Sequence, residues 1–249
     1  MNIKGFAVKF YTEEGNYDLT MLHIPAFGFR DLIVFAFFNR LLARNPVTHL
    51  KKGVAAVDFM VQYPETLLNK LNLVSDLGLV KNYRHITGFS INTFKLTGGT
   101  SAESVFVRFQ LIPRAGFKRL SSKRYQELAG IDPDYMVRDL YNEIQNGRHP
   151  TWDLKVQMFT ANQAGNLTFN PFDPTKYLPV KEFPLYTVGT LVLDRNPTDN
   201  FNEVEQAAYH PGNLVPGIEL SHDRNLQGRM FAYRQAARIV SVSTLSNFR

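Results

Sequence analysis

The chain has 249 residues, of which 44% are hydrophobic and 20% charged, a balance typical of a globular protein with a substantial core. It contains no cysteine, which excludes disulfides, thiolate iron ligands and cysteine zinc sites. No apolar run approaches the roughly 18 residues of a membrane span. The net charge of +6 comes from scattered basic residues, so we expect no nucleic-acid partner. The first residues are not typical of a signal peptide, and we expect a single cytoplasmic domain over residues 1–249.

The first third of the chain predicts a hairpin followed by helices. Residues 5–11 and 17–22 alternate apolar and polar positions on either side of a Glu-Glu-Gly-Asn turn, which is typical of two paired strands. Helical spacing follows at 30–44, where an Asn-Pro pair ends it, and again at 54–63 and 65–73.

The remainder predicts a second hairpin, more helices and a late strand. β-rich segments at 91–96 and 105–112 flank a Gly-Gly pair, and residues 165–200 are rich in Pro, Gly and Asn, which favours irregular structure. Strands, then helices, then strands indicate an α+β fold around an antiparallel sheet. The other predicted elements are helices at 125–128, 133–145, 201–209 and 226–240 and a strand at 154–160.

The pair Arg229 and Tyr233 lies in the last predicted helix, inside an apolar run. Residues four apart share one face of a helix, so the guanidinium reaches the phenol oxygen. A positive charge at that distance favours the phenolate, which is a hard anionic ligand for ferric iron. The alternative is a surface arginine beside a core tyrosine, and the pair by itself does not decide between the two.

The surrounding sequence resembles the core of the haem catalase family over roughly residues 4–239, and most densely over 170–238. Matching segments follow one another in the family's order. They lie at 5–19, 29–31, 83–85, 88–89, 93–96, 139–141, 152, 170–176, 183–185, 191–197, 201–208, 213–219 and 226–233.

This resemblance implies an antiparallel β-barrel with flanking helices, a haem b cofactor with its iron, and a peroxide substrate. Tyr233 matches the axial iron ligand and Arg229 the arginine that holds its phenolate; tyrosine is the ligand described for catalases. Asp223 and His85 match an acid and a histidine that continue a hydrogen-bond relay behind that arginine.

Three further residues match positions around the family's haem. Phe35 matches an aromatic residue that stacks on the haem face, and Phe27 one near the distal pocket. Both also suit ordinary core packing. Arg238 is the arginine that remains near the propionate anchors, because the family's own arginine after the tyrosine falls on Val240.

On the distal side the chain departs from the family pattern. The family's distal histidine belongs to a strand upstream of Gly5, so we expect the barrel here to be incomplete. Leu22 stands where the family has its distal asparagine, and it neither donates nor accepts a hydrogen bond. A positioned acid–base group contributes ~10²–10⁴ to a rate, so losing both distal groups predicts little fast dismutation of hydrogen peroxide.

His23 is the one candidate for a substitute catalytic base. Because neighbours on a strand face opposite sides, His23 points away from the haem if Leu22 points toward it. Thr20 then shares the face of Leu22 and offers a weak polar group.

Three functions remain open at the level of the sequence. The chain is an oxidoreductase acting on hydrogen peroxide or an organic hydroperoxide, a haem-binding protein without turnover (a sensor or partner subunit), or a catalase-like fold without haem. The open edges of an incomplete barrel invite pairing, so we also expect a homo-oligomer.

Overall fold

The computed structural model describes residues 3–50, 53–98 and 104–246, and its centre is an antiparallel sheet of eight strands. The sheet curls into part of a barrel with helices on its flank, which confirms the α+β class and the incomplete antiparallel barrel. The strands are β1 (Gly5–Thr12), β2 (Gly15–Leu22), β3 (Gly88–Phe89), β4 (Phe94–Leu96), β5 (Val105–Pro113), β6 (Thr151–Thr160), β7 (Tyr186–Val192) and β8 (Ile218–Leu220).

The long strand β5 organises the sheet. One of its edges pairs with β6, and β6 pairs with β7. Its other edge pairs with both β3 and β4, which are two halves of one broken strand. From this break the sheet divides, because β3 continues to β2 and β1 while β4 continues to β8. Among the described strands, β1 has a partner on one side only, and so have β7 and β8.

Helices cover the flank of this sheet, and none of those described is long and apolar enough to cross a membrane. The first of them, α1, has no buried residue although its sequence is almost entirely apolar. The helices are α1 (Leu32–Leu42), α2 (Gly53–Gln62), α3 (Leu67–Val74), α4 (Ser122–Ile131), α5 (Tyr135–Gln145), α6 (Ala161–Gly165) and α7 (Arg224–Ser246).

Two sequence predictions were wrong in the C-terminal half. Residues 165–200 were expected to be irregular, yet β7 forms within them, because Tyr186–Val192 pairs with β6 in spite of the Pro- and Gly-rich flanks. A helix was expected at 201–209, and the structure has only a short π-helical turn, Phe201–Glu205.

The main core fills the concave side of the sheet and reaches the start of α7. Leu19, Val107 and Leu226 are fully buried there, on β2, β5 and α7. Trp152 on β6 packs edge-on against Phe6 and donates its indole N–H to the carbonyl of Ile86, at 2.9 Å. Burial of these side chains from both ends of the chain fixes α7 against the sheet.

A buried arginine attaches the segment after α6 to the sheet beside the strand break. Arg108 on β5 donates to the hydroxyl of Thr93 at 2.9 Å and to the carbonyls of Pro171 and Lys176 at 2.7 and 2.6 Å. Burial lowers the pKa of Arg108 to about 10, an effect that the charge of Asp223 opposes. A single residue therefore separates the Arg108 cation from the carboxylate of Asp223, around which the site is built.

Candidate functional site

The Arg229–Tyr233 pair forms on α7 with the geometry of an i,i+4 contact. Nη2 of Arg229 donates to the phenol oxygen of Tyr233 at 2.8 Å, and the guanidinium carbon lies 5.0 Å from the ring centroid. Both side chains are half-buried. The arginine thus presents its charge to the phenol oxygen.

Two further hydrogen bonds tie Arg229 to the sheet. Its Nη1 donates to the amide oxygen of Asn92, in the break between β3 and β4. Its Nη2 also donates to the hydroxyl of Thr20 on β2, at 2.9 Å. The guanidinium of Arg229 therefore connects α7 with two parts of the sheet. Its contacts with Tyr233, Asn92 and Thr20 together fix its orientation.

Asn92 links Arg229 to a buried carboxylate. Its amide nitrogen donates to Oδ2 of Asp223 at 2.7 Å, and both residues are fully buried. The other oxygen, Oδ1 of Asp223, accepts from the backbone N–H groups of Asn225 and Leu226 at 2.9 and 3.0 Å, in the first turn of α7. Burial raises the pKa of Asp223, and the bond from Asn92 is the largest of the effects that oppose the rise.

The break between β3 and β4 is what turns Asn92 inward. Ile91 has φ = 63°, a left-handed conformation that β-branched residues rarely adopt and that costs of order 1–3 kcal/mol. The pairing of β3 and β4 with β5 on either side holds this conformation in place. As a result the Asn92 side chain points toward Asp223, and Ile91 itself lines the pocket next to Tyr233.

The pocket at Tyr233 has a volume of about 210 Å³ and mainly apolar walls. Phe27 and Phe35 form one wall, with ring centroids 5.8 Å apart, and Leu32 of α1 lies beside them. Thr20 and Leu22, two residues apart on β2, form the wall contributed by the sheet. The strand alternation predicted for this segment is therefore observed.

The residues of this pocket fit a haem group by their chemistry. The phenol oxygen of Tyr233 is a hard oxygen donor of the kind that ferric iron binds, and aromatic and aliphatic walls suit a flat apolar ring. The volume is below the roughly 300–1,000 Å³ typical of ligand pockets, so a ring of that size requires the walls to move apart. Leu32 and Phe35, which form one of these walls, belong to α1, a helix with no buried residue.

The structure does not support the catalytic role predicted for His23. Its ring is buried and lines a separate cavity of about 110 Å³ with His85, whereas Leu22 lines the Tyr233 pocket. Nδ1 of His23 accepts from the backbone N–H of Lys4 at 3.1 Å, and Nε2 has no hydrogen-bond partner among the residues that the structure describes. The period-two alternation of the strand turns the histidine away from the pocket, so His23 is not positioned as a base facing Tyr233.

The relay position predicted for His85 is also corrected. Its Nδ1 lies 2.7 Å from the carbonyl of Gly116, outside the Arg229 network, and burial lowers the pKa of its ring. The connection between Arg229 and Asp223 is made by Asn92 instead. The sequence signal for Asn92 was only its place one residue before the matching segment 93–96, since an asparagine in a β-rich stretch has no distinctive pattern.

Of the remaining predicted residues, all but one lie together at the site. The side chain of the other, Arg238, is not described. Phe27, Phe35, Arg229 and Tyr233 line one pocket, and Asp223 lies behind it. Arg238 belongs to α7, but its side chain lies outside the described part of the structure, so its predicted contact with a propionate stays a prediction.

Comparison with known proteins agrees with the half-barrel fold. The Catalase family model matches residues 1–244. Catalases from Ascaris suum and Cavia porcellus are each 47% identical over 230 residues, or 92% of this chain, and the catalase from Danio rerio is 46% identical over the same length. The chain belongs to the catalase family.

Solved structures give the same result for the fold. A fungal catalase and catalase A from Saccharomyces cerevisiae each superpose with a TM-score of 0.90 at 38% identity, over 95% of this chain. The match covers 47% and 49% of those two chains. Among the curated relatives, 42% of the Ascaris protein and 44% of the Cavia protein are covered, so the chain spans less than half of their length.

We predict that His23 makes the protein less stable in acid. Burial first, and then the charge of Lys4, lower the pKa of the His23 ring from 6.5 to about 4. Between these two values the unfolded chain binds a proton at this ring and the folded chain does not, so the free energy of unfolding falls as the pH falls. The loss is at most about 3 kcal/mol.

Urea unfolding at pH 7 and pH 4.5 measures this loss in the wild type, in His23→Gln and in His149→Gln, which changes an exposed histidine. His23→Gln should show a smaller difference between the two pH values than the other two proteins. An equal difference in all three would contradict the assignment.

Proposed function

We propose that this chain binds haem b through Tyr233 and acts on hydrogen peroxide or an organic hydroperoxide as a catalase-type oxidoreductase. The observation that carries the proposal is the continuous hydrogen-bond chain from Tyr233 through Arg229 and Asn92 to Asp223. The relatives that match most of this chain are catalases. The chain spans less than half of the length of these relatives, so peroxide turnover by this chain is a proposal.

The residues of the pocket have separate tasks in this proposal. Tyr233 would provide the iron ligand, and Arg229 would hold the ligand oxygen in place by donating to it at 2.8 Å. Phe27 and Phe35 cover the face of the ring and exclude water from it. Bound haem supplies the iron at which peroxide reacts.

The opposite wall of the pocket limits the rate that we expect. Leu22 cannot exchange a proton, and the hydroxyl of Thr20 already accepts from Arg229 at 2.9 Å. Among the described residues lining the pocket there is neither a histidine nor a carboxylate. A positioned acid–base group contributes ~10²–10⁴ to a rate, so we expect slow peroxide turnover unless a group from elsewhere faces Tyr233.

Leu22 and the position of His23 favour a second candidate function. A haem held by Tyr233 in a pocket without an acid–base group would serve as a sensor or as a partner subunit. The two functions share the same iron ligand and differ in whether oxygen is released from hydrogen peroxide. A haem-free catalase-like protein is the third alternative, and it requires that Tyr233 bind no iron.

We also propose that the chain assembles with other copies of itself. The sheet edge of β1 has no partner among the described strands. On α1 and α2, Ile33, Phe37, Val54 and Val61 are more than half exposed. Exposed apolar surface of this extent is typical of an interface.

We predict that Tyr233→Phe abolishes the ferric tyrosinate spectrum of the hemin-reconstituted protein, because it removes the oxygen ligand and keeps the ring. Absorption and resonance Raman spectra of the wild type and the variant measure this. Tyr141→Phe, at an exposed position on α5, is the matched control and should retain the wild-type spectrum. A wild type that binds no hemin would refute the proposal, and a tyrosinate spectrum that persists in Tyr233→Phe would remove Tyr233 as the ligand.

We predict that Leu22→Asn increases oxygen release from hydrogen peroxide by the hemin-loaded protein. An asparagine there places a hydrogen-bond donor on the wall opposite Tyr233. Fully preorganised donors are worth roughly 10²–10³ in rate, and an isolated one in an unadapted pocket should give up to about tenfold. The initial rate at an oxygen electrode measures the effect.

The control for this substitution is Val61→Asn, which makes a comparable change at an exposed site on α2. Its rate should equal that of the wild type. If Leu22→Asn binds hemin normally and is no faster than the control, the wall at Leu22 does not limit turnover.

A further inference from the structure

Among the described residues, Asn92 alone links the arginine at Tyr233 to the buried carboxylate. Its side-chain oxygen accepts from Arg229, and its nitrogen donates to Asp223 at 2.7 Å and to the side-chain oxygen of Asn225 at 3.2 Å. A guanidinium only donates and a carboxylate only accepts, so the two neighbours fix which end of the amide faces which. The side chain is fully buried, and its hydrogen-bonding groups are satisfied.

An amide at this place differs chemically from a histidine. A histidine between a cation and a carboxylate can gain or lose a proton near neutral pH, and the charge of the network then changes with pH. An amide has no such proton to exchange. It also keeps the carboxylate one side chain away from Arg229, so that the guanidinium charge is directed at Tyr233 and is not neutralised by a direct ion pair.

The charged groups around Asn92 come from two directions. Arg229 and Asp223 belong to α7 and the residue preceding it, and Arg108 belongs to β5. Arg108 reaches the same carboxylate through Thr93, whose backbone N–H lies 3.4 Å from Oδ2 of Asp223. Arginines stay charged at all physiological pH values, and an ionised Asp223 is matched by the four donors around it.

We propose that Asn92 is a positioning residue that holds Arg229 against Tyr233 and places an amide, which has no proton to exchange, between Arg229 and Asp223 in the relay behind the iron ligand. This inference rests on the proposed function, because it concerns the ligand of a bound haem. The consequence is a ferric tyrosinate centre whose spectrum stays constant over the pH range in which a histidine in the relay would titrate. The same residue then fixes the orientation of Arg229 and keeps a titrating side chain out of this contact.

The test introduces a titratable group at this one place. Ferric absorption spectra of the hemin-loaded wild type should be constant from pH 5.5 to 8, and those of Asn92→His should shift with a single titration. Asn146→His adds a histidine at an exposed position at the end of α5 and should behave as the wild type. A titrating wild type, or an Asn92→His variant as constant as the control, would overturn the proposal.

A second variant tests the positioning role. Asn92→Leu keeps the approximate size of the side chain and removes its three hydrogen bonds, so Arg229 loses one of its anchors. We expect hemin affinity to fall about tenfold, the equivalent of one hydrogen bond of about 1.4 kcal/mol. Unchanged affinity in a variant that is folded by circular dichroism would contradict this role.

A measurement without hemin separates this inference from the proposed function. Nitrogen NMR of the Arg229 side chain should show no pH dependence from pH 5.5 to 8 in the wild type and a clear one in Asn92→His. If the wild type binds no hemin, the proposed function fails while this NMR result still decides the inference. Identical pH profiles in the two proteins would refute it.

Discussion

A single buried carboxylate, that of Asp223, determines how the rest of the site is arranged. An ionised group without contact to water requires hydrogen bonds for all of its lone pairs, since unpaired buried charge is expensive. Its two oxygens obtain them from the first turn of α7 and from Asn92 and Thr93 in the strand break. The helix start and the sheet are thereby locked to each other at one point. Because α7 leaves this point in a fixed direction, Arg229 and Tyr233 reach the pocket one and two turns later.

Local sequence spacing was sufficient to predict the part of the site that lies within α7. Arg229 and Tyr233 are four residues apart, and a helix brings such a pair together whatever the tertiary structure. Asn92 and Asp223 are separated by 131 residues, so only the fold brings them together. The left-handed conformation of Ile91, which turns Asn92 inward, has no signature in a β-rich stretch. His85 was predicted for the relay because of its residue type, and the structure places its ring against Gly116 instead.

The same difference between local sequence patterns and distant contacts explains which strands could be predicted. It also explains why the orientation of His23 could not. The first hairpin was predictable because its alternation and its turn lie within one short segment. β7 was missed because its pairing with β6 supplies the order that its Gly- and Pro-rich surroundings obscure. For His23, strand alternation predicted only that its side chain and that of Leu22 face opposite sides. In the structure, Leu22 faces the pocket and His23 faces the cavity on the other side. Deciding between the two faces required the sheet itself.

Asp223 acts on Arg229 through Asn92, although the two charged groups do not touch. A double-mutant cycle on the hemin-free protein tests it directly, with Asp223→Asn, Arg229→Met and the combination compared by urea unfolding. We predict a coupling free energy of about 1 kcal/mol or more, as is found for residues within one hydrogen-bond network. Effects that add to within about 0.5 kcal/mol, as they do for independent sites, would contradict the account.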